Sequence, residues 1–311
     1  MIESLLIFLI VFAMVLAVYG LIRYAIYKKA PQPSKHQPSQ KPATRIRGTS
    51  HIVLLNNRYE IVRRITRGGM ATIELARDHQ TNTYCVIKVP RSDTEHSATI
   101  NLDKLYIEAD YLRQFNHPNI LRFVDLFTTD NTPYLVVEYL AGKDLQELCE
   151  RKPAAEDVVL SWGGQILNAI DYIHQRGIIH RDLNPSNIMI RTDNSIAIID
   201  FGTAKSISLS MQGHDATGQG TMIFKSGFEI PEQVREGHAD QRSDLYAVGG
   251  TIFFFLTGRG PPNWMHPRNI ASDLMEHRVS ERTARCIAQV MSIEPDSRFK
   301  DARALRRALG V

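Results

Sequence analysis

The sequence predicts an α+β protein of two unequal lobes, the first rich in β-strands and the second helical, preceded by one transmembrane helix. Three observations carry this. From residue 58 to residue 90, short runs alternate apolar and polar residues with the period of a strand; from Asp144 onward the patterns are mostly helical; and residues 4–22 carry no charge. A chain of 311 residues is long enough for one large or two small domains. With 43% apolar and 23% charged residues, it is neither mainly disordered, nor collagen-like, nor a polytopic membrane protein.

The first element is the run from Ser4 to Ile22, SLLIFLIVFAMVLAVYGLI, which as a helix would extend about 28 Å at about 1.5 Å per residue, enough to cross a bilayer core. A cleaved secretory signal has a shorter apolar run, a basic lead and a small-residue cleavage site. A buried core helix is not usually apolar on every face with basic residues directly after it. A transmembrane helix over 1–23 is therefore expected. Arg23, Lys28 and Lys29 follow the span, and such basic flanks stay on the cytoplasmic side, which implies a single-pass cell-membrane protein with its remaining domain in the cytoplasm. Cys85, Cys149 and Cys286 form no C-x-x-C pair and are odd in number, so they suit a reducing compartment and predict neither a disulfide framework nor a zinc site.

Residues 24–57 read as a basic juxtamembrane linker rich in Pro and Gln. The charge supports this division. The chain is +4 overall, but residues 1–47 hold seven basic residues and one acid, so the body is close to neutral. A nucleic-acid partner, which usually asks for a basic body, is not expected.

The globular part, 58–311, begins with YEIVRRIT and ATIELARD, two alternating runs around RGGM that predict a hairpin with a Gly-Gly turn. TYCVIKV predicts a third strand, with Tyr84, Val86 and Lys88 on one face and Cys85, Ile87 and Val89 on the other. LDKLYIEADYLRQF predicts a helix with Leu105, Glu108 and Leu112 on one face, so that a carboxylate stands in an apolar stripe. HPNILRFVDLF and PYLVVEYL supply further strands before the helical lobe. The expected lobes are 58–140 and 141–311.

The strongest local signal is His180-Arg181-Asp182-Leu183-Asn184-Pro185-Ser186-Asn187, followed after a polar turn by Asp200-Phe201-Gly202. This resembles the catalytic loop and metal-binding hairpin of the protein kinase family. VIK at 86–88, HPNI at 117–120, IPEQ at 230–233, SDLYAVG at 243–249 and DSRF at 296–299 follow in family order, so the resemblance extends from about Tyr59 to the C-terminus. It implies the bilobal protein-kinase-like fold, ATP and Mg2+ as cofactors, and a bacterial-type serine/threonine protein kinase acting on protein substrates and on itself. Phosphoryl transfer needs positioning and charge stabilisation more than covalent chemistry, which explains the residue types. The resemblance assigns Asn187 and Asp200 to the metal and Lys88 to the α and β phosphates. Glu108 would pair with Lys88, and Asp182 would take the substrate hydroxyl proton or orient that hydroxyl. Taken singly, each has a plainer account: Lys88 and Glu108 as solvated residues, Asp182 and Asn187 as turn formers, Asp200 as a strand cap.

The same resemblance places Gly68 and Gly69 over the phosphates, Ile73 and Val86 above the adenine, Met189 below it, Val137 at the back, and Glu138 to Leu140 as the hinge. Core packing accounts equally well for the apolar members. Leu112, Phe123, His180 and Phe201 match the family's internal hydrophobic spine. Glu232 with Arg298, and Asp244, read as an ion pair and a loop anchor.

Three positions depart from the family. Thr66 and Ala71 replace two glycines of the phosphate-covering loop. Asn184 stands where serine/threonine kinases usually carry lysine, so it would donate to the γ-phosphate without charge, and on this reading Asn184→Lys leaves transfer intact or raises it. Lys225 replaces a common threonine. Ser206, Ser208, Ser210, Thr217 and Thr221 are candidate phosphoacceptors, or simply residues of a polar loop. The competing function is a pseudokinase that binds nucleotide or a partner and signals without efficient transfer.

Overall fold

Residues 54–67, 71–91, 95–206, 228–261 and 266–311 are described by the computed structural model, all within the unit Ile52–Val311; the other unit, Met1–His51, lies outside the described residues. Strand-period alternation in the first lobe builds a five-stranded antiparallel sheet from β1 (Tyr59–Arg67), β2 (Ala71–Asp78), β3 (Thr83–Pro90), β4 (Phe123–Thr129) and β5 (Thr132–Glu138), in the order β1-β2-β3-β5-β4. The hairpin pairs Thr66 with Ile73 and Arg67 with Thr72, while the glycines of its turn, Gly68 and Gly69, lie outside the described residues. In β3 the two faces separate as the alternation predicts. Cys85 and Ile87 are buried in a small cluster with Tyr59, Ala76 and Val136, and Val86 turns toward the main core.

Helix α1 (Glu95–Gln114) buries Leu105, Glu108 and Leu112 together, the three residues that the helical period puts on one face. The second lobe gathers α2 (Leu145–Arg151), α3 (Glu156–His174), α4 (Pro231–Glu236), α5 (Gln241–Thr257), α6 (Pro267–Glu276), α7 (Glu281–Val290) and α8 (Ala302–Leu309). Helix α5 is its axis. A capping box joins Asp240 and Ser243 at its start, Gly258 ends it in the left-handed region at φ 73°, and every residue from Ser243 to Thr257 is buried. Such a helix is apolar all round because it has neighbours all round.

Close packing on α5 depends on a missing side chain. A Cβ at Gly249 would stand 2.5 Å from Val290 Cγ1 and 2.8 Å from Met291 Cγ, both in fully buried side chains. Gly249→Val is expected to cost about 2 kcal/mol or more in urea or thermal unfolding, because the added carbons must displace these neighbours. An unchanged unfolding midpoint would show that the contact yields freely.

The anchored half of the predicted architecture is corrected. Among the described residues no helix is long and apolar enough to cross a membrane, since helices of sufficient length, such as α1, carry charges along them. The expected span 1–23 lies outside the described residues, as does linker 24–57 up to residue 53. A charge-free run measures hydrophobicity; it does not establish a spanning helix. Over the described residues the fold is bilobal, β-rich then helical, and no transmembrane helix is among them. The membrane as partner, the single-pass cell-membrane location and the cytoplasmic side deduced from it rested on that span and have no support among the described residues.

Candidate functional site

Between the lobes, after the short strand β6 (Gly142–Asp144), strand β7 (Ile178–Ile179) leads into residues 180–187, which close in a 3-10 turn at Pro185–Asn187 before β8 (Ile188–Arg191). Asp244, at the start of α5 and fully buried, holds this loop. Its carboxylate accepts the backbone N–H groups of His180 at 2.8 Å and Arg181 at 2.9 Å and meets His174 Nε2 at 2.8 Å. Burial alone would raise the Asp244 pKa, but His174, His180 and the backbone donor outweigh it and keep the carboxyl below its ordinary value. Arg181 sits at φ 70°, a conformation that non-glycine residues rarely adopt, and its N–H is one of those that Asp244 fixes.

Asp182 opens to solvent at the end of this support. Asn184 Nδ2 donates to its Oδ1 at 3.1 Å, and Asn187 Nδ2 donates to its Oδ2 at 3.3 Å and to its backbone oxygen at 2.8 Å. Loss of hydration to the surrounding protein raises the Asp182 pKa, the Asp200 charge adds to this, and His180 and the two asparagines oppose it.

On the facing side, Lys88 Nζ donates to Glu108 Oε1 at 2.5 Å and to the carbonyl of Ile199 at 3.2 Å, so one side chain joins β3, α1 and the segment that carries Asp200. Burial opposes the Lys88 charge, but the carboxylates of Glu108 and Asp200 prevail and its pKa is raised. For Glu108 the balance is reversed. Burial and Asp200 both disfavour its charge, Lys88 opposes them, and the pKa is pushed up to about 7. Because the folded-state value lies above the ordinary one, this group's stabilising share is complete below the ordinary carboxyl range and is lost as pH rises toward about 7. Stability is therefore expected to decline over that interval in the parent and to decline less in Glu108→Gln, read from urea unfolding at a series of pH values. Parallel curves would contradict the assignment.

Phe201 is fully buried, with its ring centroid 4.8 Å from that of His180 and 5.1 Å from that of Phe115. Asp200 Oδ1 accepts the Gly202 N–H at 2.9 Å, which leaves its second oxygen without a hydrogen-bond partner among the described residues. Asn187 uses its NH2 on Asp182, and its Oδ1 has no such partner either. Two oxygens left open in this way are hard donors of the kind Mg2+ takes, and in this respect the residues fit such an ion.

Strand pairing places several of the remaining predicted residues. Val86 pairs with Val137 across β3 and β5, and Ile73 pairs with Lys88 across β2 and β3. Met189 lies on β8 opposite Asp144 and Ala197, half-buried, while Val137 and Leu140 are buried. Glu138 is tied down by Arg122, whose N–H donates to Oε1 at 3.0 Å, and by Arg191 at 3.6 Å. Gly68, Gly69, Lys225 and the candidate acceptors Ser208, Ser210, Thr217 and Thr221 lie outside the described residues; Ser206 lies in β10 (Lys205–Ser206), which pairs with β7.

Sequence reasoning assigned no role to Asn119, Gln165 or His174. Asn119 Nδ2 donates to Ile196 O at 2.9 Å and to Gln165 Oε1 at 3.0 Å, and Gln165 Oε1 also accepts the Ile196 N–H at 2.9 Å. This fastens β9 (Ile196–Ile198), the strand that delivers Asp200. The only available signal was Asn119 within HPNI.

A profile of the protein kinase domain matches residues 59–306. The chain belongs to the protein kinase family. It is 31% identical over 219 residues to a probable serine/threonine-protein kinase of Clostridium perfringens, covering 70% of this chain and 31% of that one. It is 36% identical over 208 residues to the serine/threonine-protein kinase PrkC of Bacillus subtilis, covering 67% and 31%. To PknB of Mycobacterium tuberculosis it is 29% identical over 270 residues, covering 82% and 43%. The kinase chain thus spans less than half the length of these curated relatives. At family level the matches support a bacterial serine/threonine-kinase type of phosphotransfer with a nucleotide cofactor.

Proposed function

We propose that residues 58–311, with lobes at 58–140 and 141–311, transfer the γ-phosphate of ATP to serine or threonine hydroxyls of protein substrates and of the chain itself. The observation that carries this reading is Lys88, drawn at once to Glu108 and to the Ile199 carbonyl beside Asp200. An ammonium held so serves the α and β phosphates without reorganisation. Asn187 and Asp200 would hold Mg2+ through their open oxygens. Bound in the cleft, ATP with Mg2+ supplies the phosphoryl group and offsets the charge that develops in transfer.

Asp182 takes the proton of the acceptor hydroxyl or aims that hydroxyl, and its raised pKa makes it a better base than an ordinary surface carboxylate. Ile73, Val86, Val137, Met189 and Leu140 would give the adenine an apolar slot, Glu138 to Leu140 would offer it backbone groups, and the family resemblance assigns Gly68 and Gly69 to the phosphates.

The test incubates the full chain with labelled ATP, Mg2+ and a generic basic protein, beside Lys88→Met. Label carried by the parent and absent from the variant supports transfer. Thermal stabilisation by nucleotide without any label would favour the pseudokinase, which the replacement of a lysine by Asn184 also suits.

A further inference from the structure

Asn184 has no hydrogen-bonding capacity to spare. Its Nδ2 donates to the Asp182 backbone oxygen and to Asp182 Oδ1, each at 3.1 Å, and its Oδ1 accepts from Ser186 N at 3.1 Å and Ser186 Oγ at 2.6 Å. An asparagine offers two N–H donors and two acceptor lone pairs, and all four are engaged. The orientation of the amide is also determined. Ser186 N is a donor only and Asp182 contributes only acceptors, so a flipped amide would face an N–H with its NH2 and two oxygens with its carbonyl. The residue is 4% exposed and caps the 3-10 turn that ends at Asn187. Across the carboxylate, Asn187 Nδ2 reaches Asp182 Oδ2.

We infer that Asn184 is a positioning residue for Asp182 and not a ligand of the transferred phosphate: together with Asn187 it clamps the two carboxylate oxygens from opposite ends of the turn. To reach a phosphate it would have to release either Asp182 or Ser186, giving up hydrogen bonds that its own burial, at 4% exposed, leaves water poorly placed to replace. A lysine at this position has three donors and no acceptor, so it cannot receive Ser186 and would undo the cap. This replaces the expectation that Asn184→Lys preserves or raises transfer. The effect on rate rests on the proposed kinase reading; the hydrogen-bonding geometry does not.

Three measurements on the full chain test it. In the parent without nucleotide, the side-chain NH2 resonances of Asn184 should exchange slowly with solvent. The ratio of affinities for a non-hydrolysable ATP analogue and for ADP, each with Mg2+ by calorimetry, should agree within about twofold between parent and Asn184→Ala, because no γ-phosphate contact is removed. In turnover, Asn184→Ala should lose about tenfold or more in kcat with the KM for ATP within about twofold, the pattern of a group acting only in the reaction. Asn184→Lys should gain nothing. Ser186→Ala, a milder change in case the others fold poorly, should lose about two- to tenfold in kcat with KM unchanged. Three results would overturn the inference: a fast-exchanging amide, weakened analogue binding with ADP binding intact, or a rise in kcat for Asn184→Lys. A parent that transfers no phosphate would instead sink the kinase reading, and the exchange and affinity measurements would still decide the role of Asn184.

Discussion

Asp200→Ala is expected to lower phosphate transfer by about a thousandfold or more while leaving the melting temperature close to that of the parent. The substitution removes the open carboxylate oxygen to which the proposal assigns the metal, and loss of one preorganised charge-stabilising group in such a site costs two to three powers of ten or more. The fold loses little, because the side chain is only half-buried and its one hydrogen bond among the described residues is with the Gly202 N–H. Label transfer and thermal unfolding measured on the same preparation separate the two effects. Retention of more than about a tenth of the parent's activity would show that Asp200 does not carry the charge burden given to it. An equally large loss of stability would place Asp200 in the architecture of the lobe.

The second large effect is structural. Arg298→Ala is expected to cost about 3–5 kcal/mol of unfolding free energy, a large share of what a domain usually possesses. The Arg298 side chain is fully buried and meets Glu232 in two parallel bonds of 2.8 Å. Its other donors reach the carbonyls of Ser292 at 2.8 Å, Arg242 at 3.0 Å and Ile293 at 3.0 Å, and the guanidinium lies 4.8 Å from the Tyr246 ring centroid. Truncation leaves Glu232 as an inward carboxylate whose remaining donor among the described residues is Ser243 Oγ, and takes the guanidinium away from three carbonyls. Arg298→Lys should recover little, since an ammonium cannot reproduce the planar fork. Urea unfolding reads both variants, and a loss below about 1 kcal/mol in Arg298→Ala would mean that water or a neighbour takes over these contacts.

What the sequence made legible was periodic or local. Alternation put Cys85 and Ile87 on the buried face of β3, and the helical period put Glu108 beside Leu105 and Leu112, where a carboxylate made sense only with a cationic partner. The loop from His180 to Asn187 was legible because spacing along the chain is itself the motif. Less legible was what depends on residues distant in sequence. Asp244 could be read as a loop anchor, yet its bond to His174, 70 positions away, could not, and neither could the Asn119–Gln165 bridge to β9. The role of Asn184 was obscured for a different reason. The resemblance supplied a charged residue to compare it with, whereas its actual neighbours are Asp182 and Ser186. The transmembrane expectation came from the length of a charge-free run and its basic flank, and no spanning helix among the described residues supports it.

The most direct measurement is a crystal structure of the full chain with Mg2+ and a non-hydrolysable ATP analogue. The account predicts the metal bound by oxygens of Asn187 and Asp200, the α and β phosphates on Lys88 with its bond to Glu108 kept, and Asn184 still turned toward Asp182 and Ser186. Nucleotide bound elsewhere, or bound in the cleft with Lys88 and Glu108 apart and the metal on other residues, would contradict it.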